Sequence, residues 1–263
     1  MKRTPLRGLK PHSHQDRRLI IRRMVPLIRK KFGANLVALA AQASYARQED
    51  GPYSDLELVA FVKRYPKSER SHAMAKIHDG MLVELEWMTE RDYYARVKEV
   101  TEDWHIAGSD SLLPIINRPF IEKVGRYRVR NLRAKCLQQA GRHWFEVQES
   151  AGKVLNAIIK GNRTGLPLLA FDMALHMLRL LSCINRTPYV TFSRFIHQAR
   201  RFRTKPRSFG RLLDIVVTGS YGDLAALKDA TLAVFSEFER LLARLGVDPY
   251  SNDVDPNRPM KFR

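Results

Sequence analysis

The chain contains 263 residues, with a formal net charge of +19, a sequence pI near 10.3 and an apolar share of 44%. This length provides for one large domain or two ordinary ones, and the apolar share argues against long stretches of disorder. The two cysteines, Cys136 and Cys183, form no Cys-x-x-Cys motif, so neither a zinc module nor a disulfide framework is indicated and a reducing cytoplasm fits. No apolar run precedes a cleavage-type site near the N-terminus, so a secretory signal is not expected.

The N-terminal part predicts a basic arm followed by an amphipathic helix. Residues 1–14 are basic, contain proline and glycine and show no period, which indicates a flexible arm. From Asp16 to Phe32, apolar residues recur at helical spacing between many arginines, and Pro26 is expected to kink or break this helix. The residues from Asn35 to Ala41 then predict a buried strand that enters a turn of small residues at Ser44.

Two further strands are predicted to carry acidic side chains. They span Asp55 to Val62 and Met81 to Met88. Side chains at i and i+2 on a strand share a face, so Asp55 and Glu57 present their oxygens side by side, as do Glu84 and Glu86. Such a pair suits a hard cation such as Mg²⁺, and the preceding turn suits phosphate oxygens. These strands predict a small mixed sheet with flanking helices that ends near Val124.

The remainder of the chain has helical periodicity interrupted by glycine, proline and asparagine. Predicted helices cover residues 128–160, 166–184, 191–199, 208–218 and 223–245. The prediction is therefore an α+β fold with an arm at 1–14, a sheet domain at 15–125 and a helical bundle at 126–263. The apolar run 166–184 contains Asp172, His176 and Arg179, which favours a buried helix over a membrane span, so no membrane partner is expected.

A helix starting near Gly141 is predicted to have one polar and one apolar stripe. The polar stripe consists of Glu146, Glu149, Lys153 and Asn156. The apolar stripe consists of Val147, Ala151, Val154 and Ile158. One face is expected to pack while the other faces a cleft. A simpler interpretation is that Glu149 and Lys153 form an i, i+4 surface ion pair.

The segment from Ala43 to Glu57 reads Ala-Ser-Tyr-Ala-Arg-Gln-Glu-Asp-Gly-Pro-Tyr-Ser-Asp-Leu-Glu. It resembles the kanamycin nucleotidyltransferase family, the aminoglycoside 4′-O-nucleotidyltransferases of the polymerase-β-like superfamily, whose hallmark is Gly-Ser, a spacer and Asp-x-Asp/Glu. The resemblance covers most of the chain and implies a nucleotidyltransferase domain over residues 15–125. Its later matches are Val83-Glu84, Asp103-Trp104, Leu113-Pro114-Ile115, Glu122-Lys123-Val124, Glu149 and Ala151-Gly152-Lys153.

The resemblance also implies roles for individual residues. The metal ligands fall on Asp55 and Glu57, and the general base falls on Glu149. The nucleotide contacts fall on Ser44, Arg47 and Lys153. An acidic site for the substrate falls on Glu84, with Glu146 on the polar stripe of the helix.

Three departures from the family pattern concern the same site. Ala43 and Ala46 stand where glycines are usual, and a further family carboxylate has no counterpart near Ala73 to Ala75. Glycine takes positive φ and lets the backbone approach a phosphate, whereas a Cβ at residue 43 is expected to hinder both.

The resemblance implies Mg²⁺-dependent transfer of a nucleoside monophosphate from a nucleoside triphosphate, ATP by expectation, to a hydroxyl of a small aminoglycoside-like acceptor. It also implies a homodimer, and the composition suggests a cytoplasmic one. Aminoglycosides are polycations, however, and the net charge attracts polyanions over a Debye length of about 8–10 Å. Two alternatives therefore stay open: a nucleotidyltransferase acting on RNA, and a catalytically degenerate nucleotide- or nucleic-acid-binding homologue.

Two basic clusters are candidate nucleic-acid surfaces because their cations are interleaved with aromatic residues. The first comprises Arg126, Arg128, Arg130, Arg133 and Lys135, with Tyr127. The second comprises Arg194, Arg200, Arg201, Arg203, Lys205, Arg207 and Arg211, with Phe195, Phe202 and Phe209. The alternative is a solvated basic face whose aromatic side chains point into the core.

Overall fold

The computed structural model describes residues 8–66, 71–107 and 111–249. They fall into two units: the first holds residues 8–66, 71–98 and 111–129, and the second holds residues 99–107 and 130–249. Residues 1–7 of the predicted arm and residues 250–263 of the predicted helical domain lie outside the described residues. The domain boundary predicted at residue 125 stays a prediction.

The first unit is built around a mixed sheet, and the second unit is helical, so the predicted α+β class is confirmed. The strands are β1 (Leu36–Ala41), β2 (Leu56–Val62), β3 (Ala73–His78), β4 (Met81–Met88) and β5 (Leu113–Ile116). Their order across the sheet is β3-β4-β2-β1-β5. The central pair β2 and β4 is parallel, and the other neighbouring pairs are antiparallel.

The three predicted strands are present, and two more strands had no clear signal in the sequence. Strand β3 lies at the sheet edge and is almost wholly exposed, so it lacks the apolar pattern of a buried strand. Strand β5 has only four residues and includes Pro114, a residue that lowers the expectation of a strand. Both strands form because a neighbouring strand supplies their hydrogen bonds.

The helix predicted near the N-terminus and the helices predicted after residue 126 are present. The helices of the two units are α1 (His14–Phe32), α2 (Ala43–Ala46), α3 (Glu90–Val97), α4 (Trp104–Ala107), α5 (Arg118–Gly125), α6 (Leu132–Ile159), α7 (Leu166–Asn185), α8 (Phe195–Arg201), α9 (Phe209–Thr218) and α10 (Leu224–Leu245). Of these, α3, α4 and α5 were not individually predicted. Helices α4 and α6 to α10 belong to the second unit. In this unit α6 and α7 form the most extensive helix pair.

Helix α1 begins with a capping box in which Ser13 and Asp16 exchange side-chain-to-backbone hydrogen bonds. It continues through Pro26, so the break that was one of the two expected outcomes does not occur. Its buried side chains Ile21, Ile28 and Phe32 pack on one face of the sheet.

The two faces of the sheet are covered by different elements. The first face includes Leu58 of β2 and Leu85 of β4 and packs against α1. The second face includes Val59 and Phe61 of β2 and packs against α3 and α5. Because side chains alternate along β2, Glu57 lies on the second face, where the apolar cover gives way to acidic residues.

One helix among the described residues, α7, is long and apolar enough by composition to cross a membrane. More than half of its most apolar window is buried within the protein. Its side chains Met173, Met177 and Leu181 are fully buried, as is typical of a core helix.

Candidate active site

The turn after β1 retains a glycine-like backbone although its first residue is alanine. Ala43 has φ of +51°, in the left-handed region that ordinarily favours glycine. The backbone N–H of Gln42 donates to the Glu57 carbonyl oxygen at 2.9 Å and thereby ties the turn to β2. The expected obstacle to positive φ is therefore overcome here, at the cost of local backbone strain.

The side chains predicted to contact the nucleotide lie on and just after this turn. Ser44 is half-buried within α2, and its carbonyl oxygen accepts a hydrogen bond from the N–H of Glu49 at 2.9 Å. Arg47 directly follows α2, and its Nε donates to Glu49 Oε2 at 3.1 Å. Its side chain is only 13% exposed, so its orientation is constrained by the surrounding protein.

The predicted metal ligands Asp55 and Glu57 flank Leu56 at the start of β2. Leu56 is fully buried, and the two acidic residues on either side are half-buried. The strand begins one residue later than predicted, at Leu56, so Asp55 lies in the segment that leads into it. Alternation along β2 directs the Glu57 side chain away from the Leu56 side, and Asp55 immediately precedes the strand.

The register of β2 and β4 adds a third carboxylate to this group. Glu57 is directly paired with Glu84, and neighbouring strands lie about 4.8 Å apart. Glu84 is the residue predicted to form the acidic substrate site. Like charges on directly paired residues destabilise a sheet, and a bound cation removes this repulsion.

The other acidic and nearby positions on β3 and β4 do not extend the group. Glu86 forms an ion pair with Arg96 at 3.0 Å. In the β3–β4 register, Ala73 pairs with Glu86 and Ala75 pairs with Glu84. Small apolar side chains therefore occupy the strand where the family pattern has its further carboxylate.

The carboxylate group fits a metal that substrate phosphates help to bind. Among the described residues, no group of three or more His, Cys, Asp or Glu side chains converges as a formed metal site. Mg²⁺ is typically held by one or two carboxylates together with phosphate oxygens and water, rather than by an all-protein cage. Asp55 and Glu57 match that donor set, and Glu84 adds negative charge beside them.

A groove adjoins the Asp55 end of this site. It has a volume of about 760 Å³ and is lined by Lys10, Tyr53, Ser54, Asp55, Asp79 and Leu82, among others. This volume is in the range of small-molecule sites. Lys10 Nζ forms an ion pair with Asp79 Oδ1 at 2.9 Å, which fixes one wall of the groove.

In the second unit, the predicted polar and apolar stripes of α6 are both observed. Glu146, Glu149 and Lys153 are exposed, whereas Val147, Ala151 and Val154 are buried. The helix begins at Leu132, well before the start near Gly141 used to define the stripes.

Glu149 and Lys153 form the i, i+4 ion pair expected from their spacing. Glu149 Oε1 and Lys153 Nζ are 2.8 Å apart. The hydrogen bond from Lys153 lowers the pKa of Glu149, and the same contact raises the pKa of Lys153. A glutamate side chain is ordinarily ionised at neutral pH, and the contact with Lys153 favours this state further, so Glu149 has the form that a proton acceptor requires.

The structure also identifies a positioning group that the sequence did not indicate. Arg17 of α1 is fully buried, and its side chain contacts the segment that joins α2 to β2. Asp50 in that segment is almost fully buried and contacts both Arg17 and His14. A buried arginine in an otherwise amphipathic, arginine-rich helix carries no sequence signal that separates it from its exposed neighbours.

The second basic cluster has exposed arginines but largely buried aromatic side chains. Phe195 and Phe209 are buried, and Phe195 stacks on Tyr189 with ring centroids 4.2 Å apart. These two rings are therefore not available for stacking on bases. Arg201, Arg203 and Arg207 are exposed and could contact a phosphate backbone without them.

The chain was compared with protein families and with proteins of known structure or description. The model of the family described as the KNTase C-terminal domain matches residues 144–248, which include Glu149 and Lys153. Aminoglycoside nucleotidyltransferase (4′) from Staphylococcus aureus and its counterpart from a Bacillus species are each 26% identical to the chain over 252 residues. These alignments cover 94% of this chain and 97% of each relative.

A nucleotidyltransferase-like protein from Exiguobacterium sibiricum 255-15 is similar in structure, with a TM-score of 0.47 and 11% identity. The alignment covers 85% of this chain and 75% of that protein. The family and sequence matches confirm the resemblance drawn from the short motifs.

Proposed function

We propose that this nucleotidyltransferase, a relative of the kanamycin enzymes, transfers a nucleoside monophosphate from a nucleoside triphosphate to a hydroxyl of a small acceptor. The observation that carries the proposal is the direct pairing of Glu57 with Glu84 on one face of the sheet, with Asp55 immediately before β2 and two residues before Glu57. The turn at Ala43 follows β1, is tied to β2 by the hydrogen bond from the Gln42 N–H to the Glu57 carbonyl oxygen, and has the positive φ of a glycine-type phosphate turn. Both features belong to the first unit.

Asp55 and Glu57 would hold Mg²⁺, with ATP as the proposed triphosphate. The cation would neutralise phosphate charge and orient the triphosphate for in-line displacement. Ser44 and Arg47 would contact phosphate oxygens from the turn, and Lys153 would stabilise the negative charge on the phosphates. These roles are carried over from the resemblance, and the half-buried positions of Ser44 and Arg47 suit them.

The reaction forms one bond and breaks another at the α-phosphorus. The acceptor oxygen bonds to the α-phosphorus as the bond to the bridging oxygen of the leaving group breaks, which releases pyrophosphate. The hydroxyl proton would pass to Glu149, whose carboxylate is ionised at neutral pH as glutamate side chains ordinarily are. The acceptor must displace or share the ion pair of Glu149 with Lys153 to come within hydrogen-bond distance of the carboxylate.

The acceptor is proposed to be an aminoglycoside, the substrate class named for the two sequence relatives. A polycation is disfavoured by the net charge of +19, but the acidic group of Glu57, Glu84 and Asp55 provides a local negative field. The acceptor amines would then be recognised at short range by these carboxylates.

RNA is a second candidate acceptor. The second basic cluster favours an RNA acceptor because six of the seven cations in this cluster are exposed. They are Arg194, Arg200, Arg201, Arg203, Arg207 and Arg211. Phosphate contacts by such a surface give binding that weakens steeply with salt. The buried rings of Phe195 and Phe209 remove the stacking contribution that would otherwise accompany it.

The test is a transfer assay with ATP radiolabelled at the α-phosphate. Kanamycin, tobramycin and a mixed RNA pool are offered separately, with and without a chelator of divalent cations. Label on an aminoglycoside only in the presence of the metal is the expected result. Label on RNA instead would select the second candidate.

Absence of label from every acceptor would contradict both candidates, and calorimetric titration then separates an inactive binder from a protein that does not bind nucleotide. Metal-dependent ATP binding without transfer would favour the remaining hypothesis, a catalytically degenerate nucleotide-binding homologue. We also propose a cytoplasmic homodimer, for which sedimentation analysis of the full chain gives the mass.

A further inference from the structure

The segment between the turn and the proposed metal ligands accepts several hydrogen bonds from one buried side chain, that of Arg17. This segment, residues 50–54, is called the ligand-entry loop here because it leads directly into Asp55. Four backbone or side-chain groups of the loop accept hydrogen bonds from Arg17. They are Asp50 Oδ2 at 3.2 Å, the Gly51 carbonyl oxygen at 2.9 Å, the Pro52 carbonyl oxygen at 3.4 Å and the Ser54 carbonyl oxygen at 2.5 Å.

Arg17 is itself fixed by burial and by a contact at the start of α1. Its side chain is 0% exposed, and it also donates to the His12 carbonyl oxygen at 2.9 Å. A buried guanidinium without compensating acceptors is costly, whereas here it has both a carboxylate and several carbonyl dipoles. The two terminal nitrogens of the planar guanidinium divide these acceptors between them, an arrangement that an ammonium group at the same site cannot reproduce.

The acceptor on Ser54 belongs to the peptide bond that precedes Asp55. Because a peptide unit is planar, fixing that carbonyl oxygen also fixes the orientation of the Asp55 N–H and the direction in which the chain enters β2. The loop is braced internally as well, since the N–H of Gly51 donates to Ser54 Oγ at 3.0 Å. Arg17 therefore orients the backbone of Asp55 through the peptide bond that joins Ser54 to Asp55.

The same end of α1 also contacts the phosphate turn. His14 Nδ1 is 2.7 Å from Asp50 Oδ1, and the His14 ring stacks on Tyr45 of α2 with centroids 4.3 Å apart. Tyr45 is buried and adjoins Ser44. The N-terminal turns of α1 thus contact both the element proposed to bind phosphate and the loop that orients the proposed metal ligand.

We propose that Arg17, together with Asp50, is a positioning residue that sets the metal affinity of the Asp55–Glu57 pair. This inference rests on the proposed function. Carboxylates must be held in the productive geometry by supporting hydrogen bonds, and loss of such support typically costs 10- to 100-fold in metal affinity or activity. Because Arg17 is fully buried, we assign it no contact with substrate and no role in the bond-making step.

The experiment uses the full chain and the variants Arg17→Lys, Asp50→Asn and Asp55→Asn. Exposed Arg22→Lys on the same helix serves as the matched control. Mn²⁺ is the probe, and its binding in the presence of a non-hydrolysable ATP analogue is followed by electron paramagnetic resonance. Circular dichroism at the same temperature verifies that each variant is folded.

Arg17→Lys is expected to raise the Mn²⁺ dissociation constant by about 10- to 100-fold, while transfer at saturating metal stays within about threefold of the parent. Asp50→Asn keeps an acceptor for Arg17 but loses the charge, so a smaller increase is expected, about 3- to 10-fold. Should Arg17→Lys fail to fold, Asp50→Asn alone decides the question. Arg22→Lys is expected to bind like the parent chain.

The inference and the proposed function fail in different ways. If Asp55→Asn abolishes Mn²⁺ binding but a folded Arg17→Lys and Asp50→Asn bind as the parent does, the positioning role is wrong and the metal site stands. If Asp55→Asn binds Mn²⁺ as the parent does, the metal site itself is wrong. A purely structural role for Arg17 predicts a lower unfolding temperature with an unchanged dissociation constant in the folded protein.

Discussion

The candidate residues of the first unit and those of the second are held by different kinds of structure. Asp55 and Glu57 are half-buried at the start of β2. Their surroundings are set by the pairing of β2 with β4, by the turn at Ala43 and by the hydrogen bond from buried Arg17 to the Ser54 carbonyl oxygen. Glu149 and Lys153 are exposed side chains on a single helix, and their mutual contact is set by the helical repeat alone. The geometry of the first pair depends on contacts with distant parts of the chain, whereas that of the second depends only on the helical segment 149–153.

The two pairs therefore differ in how firmly the surrounding protein holds their side chains. A metal pair needs fixed oxygens, so its supporting contacts are extensive and substitutions around it should change metal binding. An exposed base can rotate to meet its acceptor, and its ion pair is easily exchanged with solvent. Substitutions of the residues that support Asp55 and Glu57 are therefore expected to affect both stability and function, and those on the α6 stripe to affect function alone.

The largest effect is expected from removing charge at the carboxylate group. Asp55→Asn should lower transfer by more than about 1,000-fold, because the metal-assisted charge stabilisation contributes several kcal/mol and each 1.36 kcal/mol is tenfold in rate. The unfolding temperature should change little or rise slightly, since one of several neighbouring negative charges is lost. Steady-state transfer rates and a melting curve measure both. A variant with parental rates would remove Asp55 from the site.

Glu149→Gln tests the second unit and should have the next largest effect. Loss of a general base typically costs 10²- to 10⁴-fold in rate. The melting curve should be unchanged, because the side chain is exposed. Asp229→Asn, which removes an exposed carboxylate of α10 outside the proposed site, serves as the control. Equal rates for both variants would reduce Glu149 to a surface ion-pair residue.

The stability of the second unit should fall as the pH is lowered because of His143. Burial, with contributions from His105, Arg179 and His176, lowers the pKa of His143 to about 4 from an ordinary 6.5. The unfolded chain therefore binds a proton first, and stability is expected to decrease from pH 6.5 down to about 4 by an amount on the order of 3 kcal/mol.

His143→Gln should flatten that pH dependence in denaturant unfolding monitored between pH 7 and pH 4, whereas exposed His197→Gln should leave it intact. An equally steep loss of stability in both variants would assign the effect to other groups.

The smallest effect expected is that of Ala43→Gly. Relief of the positive φ should stabilise the chain by about 0.5–1 kcal/mol, and it should also lower the KM for ATP by giving phosphate more room. Ala46→Gly, in the same short helix without positive φ, should instead destabilise by about 0.5–1 kcal/mol. Calorimetry and ATP saturation curves distinguish the two. Destabilisation by both changes would mean that the turn is not strained.

Most of the fold was predictable because the relevant signals are local. Strand β4 was predicted at its observed bounds, Met81–Met88, and α7, α9 and α10 agree to within a residue or so at each end. Alternation and helical periodicity report burial directly. Strand β3 was missed for the complementary reason, because an exposed edge strand is defined by its partner and not by its own residues.

The candidate site was predictable only in part. The spacing of Asp55 and Glu57, and the stripe of Glu149 and Lys153, could be read from the chain together with a family resemblance. The direct pairing of Glu57 with Glu84 depends on the register of β2 and β4, which the residues alone do not specify. The burial of Arg17 was equally hidden, since α1 contains exposed arginines of the same type at positions 18, 22 and 23.

The amino-acid sequence by itself determined the periodic elements, the i, i+2 acidic pair and the polar stripe of α6, because each arises from the repeat of one helix or one strand. The tertiary structure decided which carboxylates share a face, how alanine adopts a glycine-like turn and which arginine orients the ligand-entry loop. The physical reason is that register, backbone strain and burial depend on contacts between residues far apart in the chain, and no local pattern records such contacts.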